Sequence, residues 1–497
     1  MAVAYVLAGT SEKGLDDMTL PAGTPTDLFI DGKWDGGSAG RFAVFDPSTG
    51  DEIASVPRAG LDDLDRTLAA AAAAQPEWAA TAPRERGEVL RKTFELMIGR
   101  REEIAYLMSL EMGKSLTDAL GEVTYAAEFF RWFGEEAVRI DGALRTAPSG
   151  ANRILTFRKA VGVALLVTPW NFPAAMATRK IGPALAAGCT MILKPASDTP
   201  LTALAIGALL AEAGVPDGVI NVLPSRRSGE LAHALLSDCR VRKLSFTGST
   251  EVGRTLLAEA AANIVSCSME LGGNAPFLVL ADADIDEAVS GAMVAKMRNG
   301  GEACTAANRF YVDAQVAEEF SDKLAGRMSA LRMGSGLDHD VELGPLINSD
   351  ARDKVDELVS SAVDAGARTL TGGKVPSGAG YFYPPTVLSE VPADARILTQ
   401  EIFGPVAPVV SCGSVPEMIE HANATEYGLV SYVYSGDLAA GLRVADSLET
   451  GMVGLNRPVV SDPAAPFGGV KQSGLGREGG HDGLLEFMES KYIAVQW

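Results

Sequence analysis

Two rhythms of apolar and polar positions divide the chain. From Leu61 to Ile140 apolar residues return every third or fourth position, through LDDLDRTLAAAAAAQPEWAA, ERGEVLRKTFELMIGRREEIAYLMSLEMGKS and LGEVTYAAEFFRWFGEEAVRI. That spacing places them on one face of a helix. After Ala160 short apolar runs alternate with helical ones. GVALLVTPW, CTMILKP, GVINVLP and VRKLSFTGS read as strands, and PAAMATRKIGPALAAG, TPLTALAIGALLAEAG, GELAHALLSD and TEVGRTLLAEAAA as helices. Thr199 is the expected N-cap of the second of these helices, with Pro200 in its first turn. Such alternation predicts βαβ units, a parallel sheet and a ligand crevice at the carboxyl ends of its strands.

A second α/β region starts near Gly272, with NAPFLVL as a strand and DIDEAVSGAMVAKMR as a helix. A helix over 315–331 carries Val316, Phe320, Leu324, Met328 and Leu331 on one face. TVLSEV, GPVAPVVSC, VSYVYSG and GMVGLN supply further strands. Residues 1 to about 26 show no period and read as a loose extension. The expected class is α/β.

Composition narrows the functions. There are 43 basic and 64 acidic side chains in 497 residues, a net charge of −21. A polyanion needs a basic face, so no nucleic-acid partner is expected. The N-terminus lacks a basic, apolar signal pattern, and no apolar run approaches the ~20 residues that span a bilayer. The cysteines are Cys189, Cys239, Cys267, Cys304 and Cys412, with no CxxC, and the histidines do not cluster with them. No disulfide scaffold and no metal site are expected, and a cytoplasmic, reducing setting fits best. Cys189, Cys239, Cys267 and Cys412 lie in or beside strand-like runs and read as buried packing residues.

Four stretches carry candidate chemistry. In SFTGSTEVGR a strand runs through Phe246, Thr247, Gly248 and Ser249 into a helix whose first N–H groups face an anion. A plain strand-to-helix turn explains it equally well. In TPWNFP, Asn171 is either an oxyanion donor or the head of an Asx turn. In SMELGGNAP, Glu270 closes a strand before two glycines, as a general base or as a solvated turn residue. In RNGGEACTAANRF, Cys304 follows a glycine pair, with Arg298 six residues before it.

Together, TPWNFP, LKPAS, SFTGSTEVG, MELGGNAP, GEACTAANR, EIFGPV and PFGGVKQSGLGRE resemble the NAD(P)-dependent aldehyde dehydrogenases, in that family's order and spacing, from about residue 27 to the end. The resemblance implies a Rossmann-type cofactor domain at 27–148 and 167–271, a catalytic domain at 272–475, and an oligomerisation arm at 149–166 and 483–497. Cys304 is then the nucleophile, Asn171 with the Cys304 N–H the oxyanion donors, and Glu270 the base that activates the hydrolytic water. Thr168, Pro169, Trp170, Lys194, Ser197, Phe246, Thr247, Gly248, Ser249, Leu271, Glu401 and Phe403 form the cofactor site. Glu302 stands where many members have Gln and is expected to point away from the thiol. Ala306 stands where some carry a second cysteine, so no disulfide switch is expected.

Within the family, ATRKIGPALAAGCT and KMRNGGEACTAANR are most similar to succinate-semialdehyde dehydrogenases. That likeness assigns Arg179, Arg298 and Ser461 to a clamp for a distal carboxylate, a task suited to guanidinium forks. Glutarate semialdehyde or an oxo-acid semialdehyde is the nearest rival substrate, and a cysteine-dependent acyl hydrolase the rival from another class. Ser197 lacks the charge of the Glu that NAD-selective members often carry there, so NADP is expected, with NAD also used. Arg226 and Arg227 either add positive charge to that pocket or sit solvated. The family further implies a homodimer or homotetramer, with the arm paired to the C-terminal strand SKYIAVQW of a partner.

Overall fold

The computed structural model describes residues 19–496. Most of the loose extension, and Trp497 of the C-terminal segment, lie outside the described residues.

The helical rhythm becomes four helices, Leu61–Ala80, Pro83–Gly99, Arg101–Met112 and Leu116–Glu136. Their periodic residues, among them Leu90, Met97, Ile104, Phe130 and Phe133, are buried with Ile181 and Leu185 of helix Pro173–Ala187 in one core. Each such side chain contributes about 1.5–3 kcal/mol by leaving water.

The core supports an eight-stranded sheet. Its centre is five parallel strands in the order Ser266–Glu270, Val241–Thr247, Val163–Val167, Met191–Lys194, Ile220–Val222. The chain lays down Val163–Val167 first, builds outward to Ile220–Val222, then returns to add Val241–Thr247 on the opposite side. Strand order therefore reverses between Val163–Val167 and Val241–Thr247, where neighbouring connections diverge and leave a crevice at the carboxyl ends. Antiparallel Leu28–Ile30 and Lys33–Asp35 finish one edge, and Gly474–Leu475 the other.

A seven-stranded sheet forms the second region, in the order Arg368–Thr371, Thr386–Ser389, Val406–Cys412, Ala307–Asp313, Ala275–Val279, Val430–Tyr434, Met452–Leu455. Only Arg368–Thr371 runs antiparallel. Helix Ala317–Ser329 covers it with Phe320, Leu324 and Met328, while Val316 occupies the N-cap and Leu331 lies past the end.

Several expectations change. The C-terminal strand Met488–Val495 pairs with Arg153–Ala160 of the same chain, Met488 opposite Ala160 through Val495 opposite Arg153. Ala143–Thr146 completes this three-stranded sheet, so the arm begins earlier than 149. It also ends before 163, because Val163–Val167 is the central strand of the first sheet. Gly162, at φ +124°, turns the chain between the exposed strand and the buried one. An apolar run alone does not mark that turn.

Thr199 occupies the cap position of helix Pro200–Ala213 without capping it; its hydroxyl lies 3.5 Å from the Trp170 carbonyl. The Leu201 and Thr202 N–H groups donate instead to the Glu111 carboxylate, at 2.8 and 2.9 Å. This helix start is buried, where a carboxyl with two acceptor oxygens answers both N–H groups and a single hydroxyl does not, though burial pushes Glu111 up to about 7. Cys239 is exposed rather than packed, because it lies in the turn after helix Ser228–Leu236. Cys189 and Cys412 are buried, and Cys267 is half-buried.

Candidate active site

Strand register aligns the predicted residues. Glu270 pairs with Thr247, Phe246 with Val167, and Val167 with Lys194. The rim of four parallel strands thus carries Glu270, Thr247, Thr168 and Lys194 side by side. It opens on a cavity of about 270 Å³ lined by Pro169, Trp170, Asn171, Thr247, Gly248, Ser249, Leu271, Cys304, Glu401 and Phe403. Helix Ser349–Asp364 of the second region closes the far wall with Ala351, Lys354, Val355 and Leu358. Trp170 and Phe403 meet edge to face, with centroids 5.5 Å apart.

Four predicted cofactor residues do not line this cavity. Thr168 and Lys194 sit at the rim, and burial brings the Lys194 ammonium down to about 8. Ser197 is half-buried, its hydroxyl 3.5 Å from the Asp198 carboxylate. Phe246 is buried in the core beneath the turn. A Cβ on Gly248 would lie 2.5 Å from its ring, so Phe246 shapes the turn from below. Arg226 donates to the Ala43 carbonyl at 3.1 Å and Arg227 pairs with Glu230 at 3.4 Å, so both are engaged locally on the surface.

The glycines before Cys304 have a backbone reason. Asn299, Gly300 and Gly301 have φ of 57°, 62° and 80°, a left-handed run that turns the chain out of helix Ile285–Met297. A Cβ on Gly301 would stand 2.2 Å from the Gly404 carbonyl oxygen. Gly273 has the same constraint, since its Cβ would meet the Cys304 carbonyl oxygen at 2.5 Å. Backbone segments carrying Cys304, Glu401 and the end of the Glu270 strand are therefore in close contact.

Cys304 is half-buried, and its apolar surroundings push the thiol up to about 12. Arg179 and Arg298 oppose that rise, while Glu401 and Glu270 add to it. Asn171 is buried; its Nδ2 donates to the Glu302 carbonyl at 3.0 Å, and its Oδ1 accepts from Phe172 N at 3.1 Å. The Asx-turn reading fails for a simple reason: the turn needs the N–H two residues on, and Pro173 has none.

Glu270 is buried, not a solvated turn residue, and neither carboxylate oxygen has a partner among the described residues. Burial first, then the like charge of Glu478, holds its carboxyl well above the ordinary range, against Arg179, Lys180 and Arg477. Glu401 accepts from Gly273 N at 3.0 Å and is pushed up to about 7 by burial. Glu302 points away from the thiol, accepting from Ile347 N at 3.1 Å, and burial pushes it up to about 8.

Arg179, Arg298 and Ser461 come together behind the thiol. Arg298 and Ser461 line one small cavity with Ala303 and Thr305. Arg179 is buried over the Phe467 ring, 3.9 Å from its centroid, and its Nε forms an ion pair with Glu478 at 2.8 Å. Its Nη2 is buried without a partner among the described residues.

Sequence reasoning missed three side chains here. The Tyr125 hydroxyl is buried beside Ser461 and within the influence of both guanidiniums. Lys180 pairs with Glu478 and also donates to Ser245 Oγ at 3.1 Å. Glu478 lies in the GLGRE stretch, a signal that was visible without a role; Tyr125 looks like any core aromatic of its helix.

The chain matches the family model described as "Aldehyde dehydrogenase family" over residues 34–493. It is 56% identical over 443 residues to the succinate-semialdehyde dehydrogenase of Paenarthrobacter nicotinovorans, covering 89% of this chain and 98% of that protein. It is 48% identical to the glutarate-semialdehyde dehydrogenase of Pseudomonas aeruginosa, covering 94% and 97%. A crystal structure described as an E. coli NADP dependent enzyme superposes with a TM-score of 0.94 at 46% identity, covering 95% of this chain and 98% of that one. This chain belongs to the aldehyde dehydrogenase family.

Proposed function

We propose that this enzyme oxidises succinate semialdehyde, or a similar ω-carboxy aldehyde, to the acid with reduction of NADP or NAD. The observation that carries the substrate is the pair of guanidiniums, Arg179 and Arg298, beside Ser461 and Tyr125 behind Cys304. Arg298, and Arg179 through the Nη2 that Glu478 leaves unpaired, favour a substrate with a carboxylate at that end. Relatives named for the four-carbon and the five-carbon substrate both match over most of the chain, so glutarate semialdehyde is the second reading.

The crevice fits a dinucleotide. Thr247 Oγ1 is buried there without a partner among the described residues, and the edge-to-face Trp170–Phe403 pair gives an apolar wall. Pro169, Trp170, Thr247, Gly248, Ser249 and Leu271 would hold it, with Lys194 and Ser197 towards its adenosine ribose and Glu401 towards its nicotinamide ribose. When bound, the nicotinamide accepts the hydride. NADP is the preferred form, because Ser197 places no negative charge against a 2′-phosphate.

Cys304 Sγ forms a bond to the aldehyde carbon as the C=O π bond opens onto oxygen, and the thiol proton passes to solvent water. Asn171 Nδ2 and the Cys304 N–H stabilise the resulting oxyanion. Once the carbon has been oxidised, Cys304 carries a thioester. Glu270 then takes a proton from water as it attacks, and the C–S bond breaks to release the acid. A plain acyl hydrolase would leave the crevice residues without work.

Glu270→Gln should permit the first hydride transfer and stall the hydrolysis. A burst of about one reduced cofactor per site is expected, followed by a steady rate about 10²–10⁴-fold below the parent. Because the Glu270 pKa is raised, the base form is lost as pH falls through that value, so parental thioester hydrolysis slows on acidification. The variant should lack that dependence. A variant without the burst would assign Glu270 to an earlier step.

We also propose a homodimer or homotetramer built through the three-stranded arm. Leu144, Tyr492 and Ile493 are exposed on it, and unpaired strand edges flank it. A monomeric mass by light scattering at micromolar concentration would refute this. Among the described residues no helix is long and apolar enough to cross a membrane. A reducing cytoplasmic setting suits the free cysteines.

A further inference from the structure

Lys114 and Glu122 form a buried ion pair on a segment that none of the roles above uses. Lys114 follows helix Arg101–Met112, and Glu122 lies in helix Leu116–Glu136. A buried pair is not explained by stability alone, since desolvating two ions offsets most of their attraction. What this pair touches is informative. Lys114 Nζ also donates to the Asn171 carbonyl at 2.8 Å and sits 4.4 Å from the centroid of the Phe172 ring. Glu122 Oε1 accepts from Ala174 N at 2.9 Å and Ala175 N at 3.1 Å. These N–H groups open helix Pro173–Ala187, which carries Arg179 and Lys180.

The same carbonyl of Asn171 accepts from Asn299 Nδ2 at 3.0 Å. That amide also donates to the Glu302 carbonyl at 3.0 Å, the oxygen to which Asn171 Nδ2 donates. Asn299 N in turn donates to Asp118 Oδ2 at 3.0 Å. The Asn171 turn is thus gripped from one side by Lys114 and from the other by the loop that leads to Cys304.

We propose that Lys114 and Glu122 are positioning residues that fix the Asn171 amide relative to Cys304, so that Nδ2 is in place when the oxyanion forms. Glu122 sets where the Pro173 helix starts, and Lys114 sets the orientation of the Asn171 carbonyl two residues before it. Neither side chain touches the substrate, so their effect passes through Asn171. The inference rests on the role given to Asn171 above.

A double-mutant cycle between Lys114 and Asn171 tests it, because two residues acting through one contact are not additive. Lys114→Met is expected to lower kcat about 10- to 100-fold, the scale of a misplaced reacting group, with KM for succinate semialdehyde within about twofold. NADPH binding, followed by its fluorescence, should also hold within about twofold. In an Asn171→Ala background the same change should cost less than about twofold, since no donor remains to be placed. Lys114→Arg, which retains the charge and the donors, should recover most of kcat. If Lys114→Met does not fold, Lys114→Met with Glu122→Gln leaves no lone buried ion, keeps an acceptor for Ala174 and Ala175, and runs the same cycle. Equal losses in both backgrounds, or a fall in NADPH binding parallel to that in kcat, would overturn the proposal while leaving Asn171 its role. An Asn171→Ala enzyme with undiminished kcat would instead overturn the oxyanion reading itself.

Discussion

Replacing Cys304 with alanine should lower aldehyde oxidation by about 10⁴-fold or more, the scale seen when a covalent nucleophile is deleted. An aldehyde carbon carries no good hydride donor until a nucleophile has added to it, and Cys304 is the one cysteine on the crevice wall. The burst seen with Glu270→Gln should vanish too, because no thioester can form. The change should spare the cofactor: titration with NADPH should give a Kd within about twofold of the parent. Retention of more than a few per cent of turnover would end the nucleophile assignment. An unmeasurable NADPH affinity would show damage wider than one thiol. Burial pushes the Cys304 thiol up to about 12, so it is protonated at neutral pH. Activation therefore needs a change of surroundings at the moment of attack, because the Glu401 and Glu270 carboxyls both hold the thiol up.

The sheet was legible because it depends on local pattern, whereas most of the cavity wall was assigned through the resemblance to the family. Alternating apolar runs placed Thr168, Thr247 and Glu270 at strand ends, and parallel register brought them to one rim. What stayed hidden depends on contacts distant in sequence. Glu111 answers the helix at Leu201, and Glu122 the helix at Ala174, but nothing in their own neighbourhoods separates them from surface glutamates. Thr199 looked like a sufficient cap because local sequence cannot report that the helix start is buried. The same limit applies to Lys180 and Glu478, which lie 298 residues apart and are brought together only by the tertiary fold. The arm was misplaced for a related reason. VGVALLV is apolar throughout, and only the turn at Gly162 divides exposed strand from buried strand.

Buried ionisable groups gather around the crevice: Glu270, Glu302, Glu401 and Lys180 are shifted by burial, while Arg179 is raised against its burial, chiefly by Glu478. Each costs free energy to keep dry. Glu302 is the instructive member, because its carboxyl near the thiol would otherwise oppose thiolate formation. It turns instead to Ile347 N, at the loop leading to helix Ser349–Asp364 on the cofactor side of the cavity. An acid is thus accommodated at position 302, held up to about 8 by burial and turned away from the nucleophile.

Arg179→Ala and Arg298→Ala should each separate acid-bearing aldehydes from neutral ones. A charged hydrogen bond to a carboxylate contributes roughly 1.5–3 kcal/mol, which corresponds to a loss of about 10- to 150-fold in kcat/KM for succinate semialdehyde. Butanal has the same chain length and no carboxylate, so its oxidation should change little in Arg298→Ala. Arg179 carries a second burden, because its Nε also balances Glu478 beside Glu270. Its removal should slow butanal somewhat as well, through the base, while slowing succinate semialdehyde more. Ser461→Ala removes one neutral donor and should act in the same direction with a smaller effect. Tyr125→Phe should do likewise if its buried hydroxyl faces the bound carboxylate. Running the panel with glutarate semialdehyde fixes the preferred chain length, since the distance from Cys304 to the clamp is set by the folded backbone. Parallel losses for butanal and succinate semialdehyde in both arginine variants would leave the pair as structural cations, and the substrate as an aldehyde of unspecified kind.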